Sequence, residues 1–181
     1  MRFLIITKKQ LMLGICALIA VIAVVIGSAT AFAGNDRKLP IYCVETEKKQ
    51  IAISFDAAWG NDDTQTLIDI LKEYNVPATF FVVGSWVDKY PESVKALSDA
   101  GHQVQNHSNT HPHMPQLSKQ QMRDELESCN SKIKAITGVC PTLLRPPYGD
   151  YDNALIETVD SINMKTIQWS VDSLDWKDSA T

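Results

Sequence analysis

Two histidines four positions apart, His107 and His111, stand directly behind residues that predict a short buried strand. Asp56 stands in the same way at the end of an apolar strand upstream, within Ser54-Phe55-Asp56-Ala57-Ala58-Trp59-Gly60. Imidazole nitrogens and a carboxylate at strand ends can bind a metal ion and activate water in α/β enzymes. A pair of surface-loop histidines and a turn-capping aspartate are the structural alternatives for the same residues.

Two further segments carry polar groups behind predicted strands. Leu144-Arg145-Pro146-Pro147-Tyr148-Gly149 puts a permanently charged guanidinium at a strand end and stiffens the next turn with two prolines. Arg145 could orient Asp56 while backbone groups near Tyr148 polarise a substrate carbonyl, or it could pair with any acid. Asp172-Ser173-Leu174-Asp175-Trp176 adds two acids and an indole, which favours a wall of the site.

The elements that must position these residues alternate between strands and helices. After a first short strand at 40–44, the predicted strands are 50–56, 77–83, 102–106, 142–144 and 164–170, and helices begin near Asp62, Pro91, Ser118 and Asn153. Runs of β-branched and aromatic residues are typical of strands buried on both faces in parallel sheets. The pattern predicts an α/β barrel or doubly wound sheet whose functional residues share one rim.

The first 33 residues contain three basic residues and no acid, and an apolar run extends from Leu11 to Ile26. This predicts a membrane-targeting segment, either a signal peptide cleaved after Ala31-Phe32-Ala33 or an uncleaved anchor that spans a bilayer about 30 Å thick. In both cases we expect the domain to be extracytoplasmic, secreted or anchored by a single N-terminal transmembrane segment. The predicted layout is residues 1–33 as leader, 34–48 as linker and first strand, and 49–181 as one domain.

The chain of 181 residues has a net charge of −4, and without the three basic residues of the leader it retains 14 basic and 21 acidic residues, or −7. An acidic domain with scattered lysines and arginines excludes nucleic acid as a partner. Three cysteines, an odd number, follow the leader: Cys43, Cys129 and Cys140. A Cys129–Cys140 disulfide is one alternative outside the cytoplasm, and unpaired thiols are the favoured one.

Together and in this order, the four polar segments resemble the motifs of the polysaccharide deacetylase family, the NodB-homology domain of carbohydrate esterases. The family's T-F-D-D-G, H-[S/T]-x-x-H, R-x-P-Y and D-x-x-D-W motifs match Ser54-Phe55-Asp56-Ala57, His107-Ser108-x-x-His111, Arg145-Pro146-Pro147-Tyr148 and Asp172-x-x-Asp175-Trp176. The resemblance extends from about Lys49 to the last residue. It implies a distorted (β/α) barrel that removes N-acetyl groups from a cell-wall or related glycan.

The resemblance also implies roles for individual residues. Asp56 would be the catalytic base, Arg145 would brace it, and Asp175 would position a catalytic histidine. Tyr148 and Trp176 would bind the substrate, with the tryptophan lining the acetyl pocket.

His107 and His111 would hold a divalent metal, zinc or similar, but the family's second acidic ligand is replaced here by Ala57. The resemblance therefore implies weaker metal binding, unless Asp62 or Asp63 supplies a ligand instead of capping a helix. The Ser54–Gly60 segment itself resembles the subgroup associated with endospore formation, which favours wall chemistry linked to sporulation.

The family's last motif, L-x-H, carries the histidine that protonates the leaving amine, and it does not occur before Thr181. We therefore expect a truncated family member whose sheet lacks its closing strands. The leading hypothesis is a hydrolase that removes N-acetyl groups from polysaccharide. The alternatives are a noncatalytic glycan-binding domain and an inactive truncated member.

Overall fold

A computed structural model describes residues 8–31 and 36–177, and the chain divides into two compact units between Arg37 and Lys38. The first unit contains one helix, α1, over Lys8–Ala31. In the part of the chain that is described, no helix meets the length and apolarity needed to cross a membrane. Residues 32–35 of the predicted cleavage region and the C-terminal residues 178–181 lie outside that part.

The second unit is built on a parallel sheet whose five strands are ordered as they occur in the chain. The strands are β1 Ile53–Ala57, β2 Ala78–Val82, β3 Gln103–Asn106, β4 Leu143–Leu144 and β5 Lys165–Thr166. Beyond β5, the strand predicted at 40–44 is reduced to a single parallel bridge between Ile41 and Ile167. The predicted α/β class and the predicted parallel strands are confirmed.

Five helices connect and cover these strands: α2 Thr64–Glu73, α3 Gly84–Lys89, α4 Pro91–Asp99, α5 Lys119–Thr137 and α6 Asn153–Ser161. Short 3-10 turns occupy Met114–Gln116 and Pro147–Gly149. Apolar side chains of α2, α3, α4 and α5 pack on β2 and β3 in one cluster, and a second cluster joins α5, α6 and β4.

Local residue types determine both ends of helix α5. Ser118 and Gln121 form a reciprocal capping box, in which each side chain accepts a hydrogen bond from the other residue's backbone amide. Gly138 ends the helix at φ +76°, a left-handed conformation that glycine adopts without a Cβ clash. The side chains of Met122, Leu126, Cys129 and Ile133 form its buried stripe.

Several predicted details are wrong. Asp63 occupies the N-cap position of α2 without a side-chain hydrogen bond, so the capping expected from this pair of acids is absent there. The strand expected at 164–170 is only two residues long. Beyond Thr166 the backbone forms a single isolated bridge, between Ile167 and Ile41, which does not extend the strand. Helix α3 was not predicted, since six residues are too few to show a periodicity.

The cysteines of the second unit have free thiols. Cys129 is fully buried and Cys140 is exposed, and neither forms a disulfide. The Cys129 thiol lies 3.4 Å from the Val82 carbonyl oxygen, and burial raises its pKa to about 12. Cys129 is therefore a packing residue of α5.

Candidate active site

An ion pair joins the carboxyl ends of β1 and β4. Ser54 and Asp56 lie two residues apart on β1 and so face the same side of the sheet, toward Arg145. Arg145 donates from Nη1 to Asp56 Oδ1 at 2.9 Å and from Nη2 to Ser54 Oγ at 2.7 Å. Its guanidinium lies 4.2 Å above the ring of Phe81 and the residue is 5% exposed, whereas the Asp56 side chain is 37% exposed. Arg145 thus fixes one carboxylate oxygen while Asp56 Oδ2 stays accessible.

His107 is buried beside this pair. Its Nδ1 lies 2.7 Å from the Arg145 carbonyl oxygen, which can only accept, so Nδ1 carries the proton and Nε2 of the neutral ring carries a lone pair. That Nε2 lies 3.9 Å from Asp56 Oδ2. Burial lowers the pKa of His107, and the negative charge of Asp56 opposes that shift only in part. The neutral imidazole is therefore the favoured form.

His111 completes the group at the same edge of the sheet. Its ring centroid lies 5.0 Å from that of His107 and 4.6 Å from that of Tyr148. The Nδ1 atom of His111 is buried without a hydrogen-bond partner. Burial, and next the neighbouring His107, lower the pKa of this imidazole too. The structure thus brings together Asp56, Arg145, His107, His111 and Tyr148.

The segment 107–111, here called the histidine loop, is held by side chains. Asn106 is fully buried; its Oδ1 accepts from the Ser108 amide at 2.7 Å, and its Nδ2 donates to the Leu126 carbonyl oxygen at 2.9 Å. Ser108 Oγ accepts from the His111 amide at 2.9 Å. Ser108 and His111 both have positive φ, +67° and +63°, which non-glycine residues keep only when surrounding contacts impose it.

Glu125 of α5 holds the middle of the histidine loop. One carboxylate oxygen accepts from the amides of Asn109 and Thr110, both at 2.8 Å, and the other accepts from Thr110 Oγ1 at 2.8 Å. Three hydrogen bonds to one carboxylate are strong because the acceptor is charged. In the sequence, the only signal for this role of Glu125 is an acid directly beside the buried stripe of α5.

Helix α3 approaches the same loop from the other side. The Gly84 amide donates to the Ser108 carbonyl oxygen and the Ser85 amide to the Asn109 carbonyl oxygen, each at 2.9 Å. A Cβ atom on Gly84 would collide with the Asn109 side chain and lie 3.1 Å from its Cα. Lys132 Nζ donates to Asn109 Oδ1 at 2.8 Å. A glycine is therefore required where α3 begins.

The turn after β4 presents one candidate donor to a substrate. The amides of Gly149 and Asp150 donate to the carbonyl oxygens of Pro146 and Pro147 inside the turn, at 3.1 and 3.0 Å. Among the amides of this turn, the Tyr148 amide is the one that remains available to polarise a substrate carbonyl. This is the role that the sequence predicts for backbone groups near Tyr148.

Asp175 and Trp176 lie apart from these five residues. Both are exposed and follow β5 in a segment without a helix or strand. Asp175 Oδ1 accepts from Ser173 Oγ at 2.7 Å, and Lys177 Nζ lies 4.9 Å from the Trp176 ring centroid. The structure gives both residues only contacts within their own segment, and their expected roles stay predictions.

The metal ion that the family resemblance implies would need a third ligand beside the two imidazoles. Within residues 8–31 and 36–177, no group of three His, Cys, Asp or Glu side chains could hold one, so Asp62 and Asp63 do not supply it. Position 57 carries the methyl group of Ala57, which packs on the apolar core. The residues present therefore offer two imidazole ligands and do not complete a metal centre.

Comparison with known proteins places this site in a family. A sequence profile described as "Polysaccharide deacetylase" matches residues 44–167. The peptidoglycan-N-acetylmuramic acid deacetylase PdaA of Bacillus subtilis is 37% identical over 137 residues, covering 75% of this chain and 52% of that protein. The chain spans about half the length of the curated relatives it matches.

Solved structures agree with the fold. A CE4 family pseudoenzyme from Bacillus anthracis superposes with a TM-score of 0.74 at 38% identity, over 76% of this chain and 49% of that one. A mutant described as that pseudoenzyme with restored enzymatic activity matches at 39% identity with the same TM-score, over 76% of this chain and 51% of that one. Bacillus subtilis PdaA, a family 4 carbohydrate esterase, matches with a TM-score of 0.73 at 36% identity, over 77% and 60% of the two chains.

Proposed function

Because the chain belongs to the polysaccharide deacetylase family, we propose that its site removes N-acetyl groups from cell-wall or related polysaccharide by amide hydrolysis. The observation that carries this proposal is the geometry at Asp56. Arg145 engages Oδ1 at 2.9 Å, and Oδ2 of this partly exposed side chain is left to accept a proton from water. A carboxylate fixed in this way is oriented before the substrate arrives.

In the proposed reaction, a water molecule loses a proton to Asp56 Oδ2 as its oxygen attacks the acetyl carbonyl carbon. The carbonyl oxygen gains negative charge, which the Tyr148 amide is placed to stabilise. The carbon–nitrogen bond then breaks, and the leaving nitrogen takes up the proton that Asp56 received from the water. The products are acetate and an amino sugar within the glycan.

Acetate release tests this proposal. The full chain should release acetate from peptidoglycan or from an oligomer of N-acetylglucosamine, and Asp56→Asn should abolish the release because the amide is a far weaker base. Asp62→Asn is the matched control, since Asp62 lies in the loop after β1 and outside the described group. Equal release by wild type and Asp56→Asn would overturn the mechanism.

A second candidate function is glycan binding without hydrolysis. Ala57 at the family's second acidic position, the incomplete set of metal ligands in the described chain and the likeness to a pseudoenzyme favour it. In that case the full chain would sediment with insoluble peptidoglycan, release no acetate and be unaffected by a chelator. Failure to sediment with the glycan would count against this candidate.

We also propose that the domain acts outside the cytoplasm, with α1 and its flanks as signal peptide or anchor, and that the activity belongs to sporulation. The first part rests on the basic, acid-free leader, and the second on the Ser54–Gly60 segment. Protease added to intact cells should digest the domain. Protection from protease until the membrane is permeabilised would contradict the proposed location.

A further inference from the structure

Four aromatic rings form a continuous row beside Asp56. The ring centroid of His111 lies 5.8 Å from that of Trp59 on one side and 4.6 Å from that of Tyr148 on the other. Tyr148 in turn stacks on His113, with centroids 4.1 Å apart and planes inclined by 15°. We call these four side chains the ring row. It joins the loop after β1, the histidine loop and the turn after β4.

The outer ring of the row is exposed although its loop is anchored. Trp59 is 77% exposed. The next residue, Gly60, accepts a hydrogen bond at 2.8 Å from Nε1 of the buried Trp86, and Asn61 donates to Ser93 Oγ at 3.0 Å. Anchoring on both of these residues keeps the indole at the surface, where a large apolar side chain has no stabilising burial.

Tyr148 shows the same combination of a fixed backbone and an exposed ring. The residue has φ +60°, a conformation that costs a non-glycine residue free energy, and 60% of it is exposed. Gln168 Nε2 donates to the Gly149 carbonyl oxygen at 2.7 Å, and a Cβ atom on Gly149 would lie 2.8 Å from the Trp169 ring. A strained backbone that displays an aromatic ring indicates a binding function.

We infer that the ring row is a sugar-binding subsite on which the pyranose ring next to the N-acetyl group under attack stacks, with Trp59 as its main platform. The inference rests on the proposed function for its choice of sugar, an N-acetylated hexosamine polymer.

The chemistry of the row favours a pyranose over other ligands. One face of a pyranose is lined by C–H groups that pack against an indole, while its edge carries hydroxyl and amide groups for hydrogen bonds. The apolar ring faces of the ring row lie beside two polar side chains, Asp56 and His107. The distance between His107 Nε2 and Asp56 Oδ2 is 3.9 Å. A purely apolar ligand would bury those polar groups unpaired, which is unfavourable. The net charge of −4 disfavours a polyanion such as nucleic acid.

Calorimetric titration of the full chain with the N-acetylglucosamine tetramer tests the inference. Trp59→Ala should weaken binding by about tenfold, because the largest stacking surface is lost, and Trp59→Phe should recover part of the affinity. Tyr74→Ala is the matched control: Tyr74 is 70% exposed but stands at the C-terminal end of α2, at the opposite edge of the sheet. It should bind like wild type.

The same titration with variants that also carry Asp56→Asn measures tetramer binding without hydrolysis of the tetramer. Binding and acetate release are thereby tested separately. Trp59-dependent binding without acetate release by wild type would overturn the hydrolysis and leave the subsite standing. Acetate release with equal tetramer affinity in wild type, Trp59→Ala and Tyr74→Ala would overturn the subsite and leave the hydrolysis standing. Equal losses in Trp59→Ala and Tyr74→Ala would also overturn the subsite, because the loss would not depend on the ring row.

Discussion

Arg145 contacts three other residues of the site through its side chain and its backbone carbonyl group. Its guanidinium binds Asp56 and Ser54, and its carbonyl oxygen accepts from His107 Nδ1. The backbone contact selects the tautomer of His107 while the side chain orients the carboxylate. Lysine could not replace it, since a single ammonium lacks the planar fork that reaches two acceptors at once.

Replacement of Arg145 should therefore destabilise the domain. We expect Arg145→Ala to lower the free energy of unfolding by about 2 to 4 kcal/mol. This is somewhat less than the loss for a fully buried ion pair, because water still reaches the Asp56 carboxylate. Lys165→Ala, which removes the exposed pair with Asp160, should change it by less than about 1 kcal/mol. Denaturant unfolding measures both variants. Equal small losses would show that the Arg145 contacts contribute nothing beyond a surface pair.

Ala57 is the residue that we expect to limit metal binding. Ala57→Asp would restore the carboxylate that the family resemblance implies as a metal ligand, and three ligands bind zinc far more tightly than two. Titration of the full chain with zinc should show a dissociation constant at least about tenfold lower than that of wild type. Ala57→Asn, with the same shape and no charge, is the control. Similar zinc affinities for Ala57→Asp and Ala57→Asn would refute the explanation.

At the scale of elements, α5 does more than cover the sheet. Glu125 accepts three hydrogen bonds from the histidine loop, Asn130 accepts from Asn106, and Lys132 donates to Asn109. One face of this helix thus fixes a loop that contains two residues at positive φ. The loop geometry depends on α5 as much as on the strand that precedes it.

Loss of the Glu125 carboxylate should loosen the histidine loop. Glu125→Ala leaves the half-buried Asn109 amide without its partner and opens the exposed Thr110 amide to water, at a cost of about 1 kcal/mol. Hydrogen exchange of these two amides should accelerate more than that of the α5 backbone. Glu125→Gln should restore part of the protection, because its amide oxygen can still accept, and Asp124→Ala on the exposed face should behave as wild type. Uniform acceleration along the chain would indicate global destabilisation instead of a local role.

The sequence predicted the elements that have strong local signals. The N-cap of α5 at Ser118 and the start of α6 at Asn153 were predicted from residue type alone. The Glu125 contacts were not, because they join residues 15 and 16 apart through side-chain geometry that no periodicity reports. The short β4 and β5 could not be bounded, since their length depends on pairing partners elsewhere in the chain. Four ordered motifs indicated the family, while Asp175 and Trp176 were not brought to the site.

At the scale of the whole molecule, the parallel sheet brings distant residues to one edge. Asp56 and Arg145 are 89 residues apart in sequence, yet their side chains meet because every strand ends at the same edge. The same packing buries imidazoles. Burial lowers the pKa of His102, and it is also the largest cause of the lowered pKa values of His107 and His111.

These lowered pKa values predict that acid destabilises the domain. Below the ordinary histidine pKa of 6.5, the unfolded chain takes up protons that the folded chain does not, so the free energy of unfolding should fall as pH decreases. Denaturant unfolding between roughly pH 7.5 and pH 5.5 measures the slope, and His107→Asn should reduce it. A stability that stays constant or rises toward pH 5.5 would contradict the burial of neutral imidazoles.

We propose that Asp56, oriented by Arg145, acts as the base in hydrolysis of an N-acetyl group. The most direct measurement is acetate release from the N-acetylglucosamine tetramer by wild type and Asp56→Asn, both first shown by calorimetry to bind the tetramer with similar affinity. We predict release by wild type and none by Asp56→Asn. Equal release by the two proteins, or tetramer binding by wild type without any release, would contradict the claim.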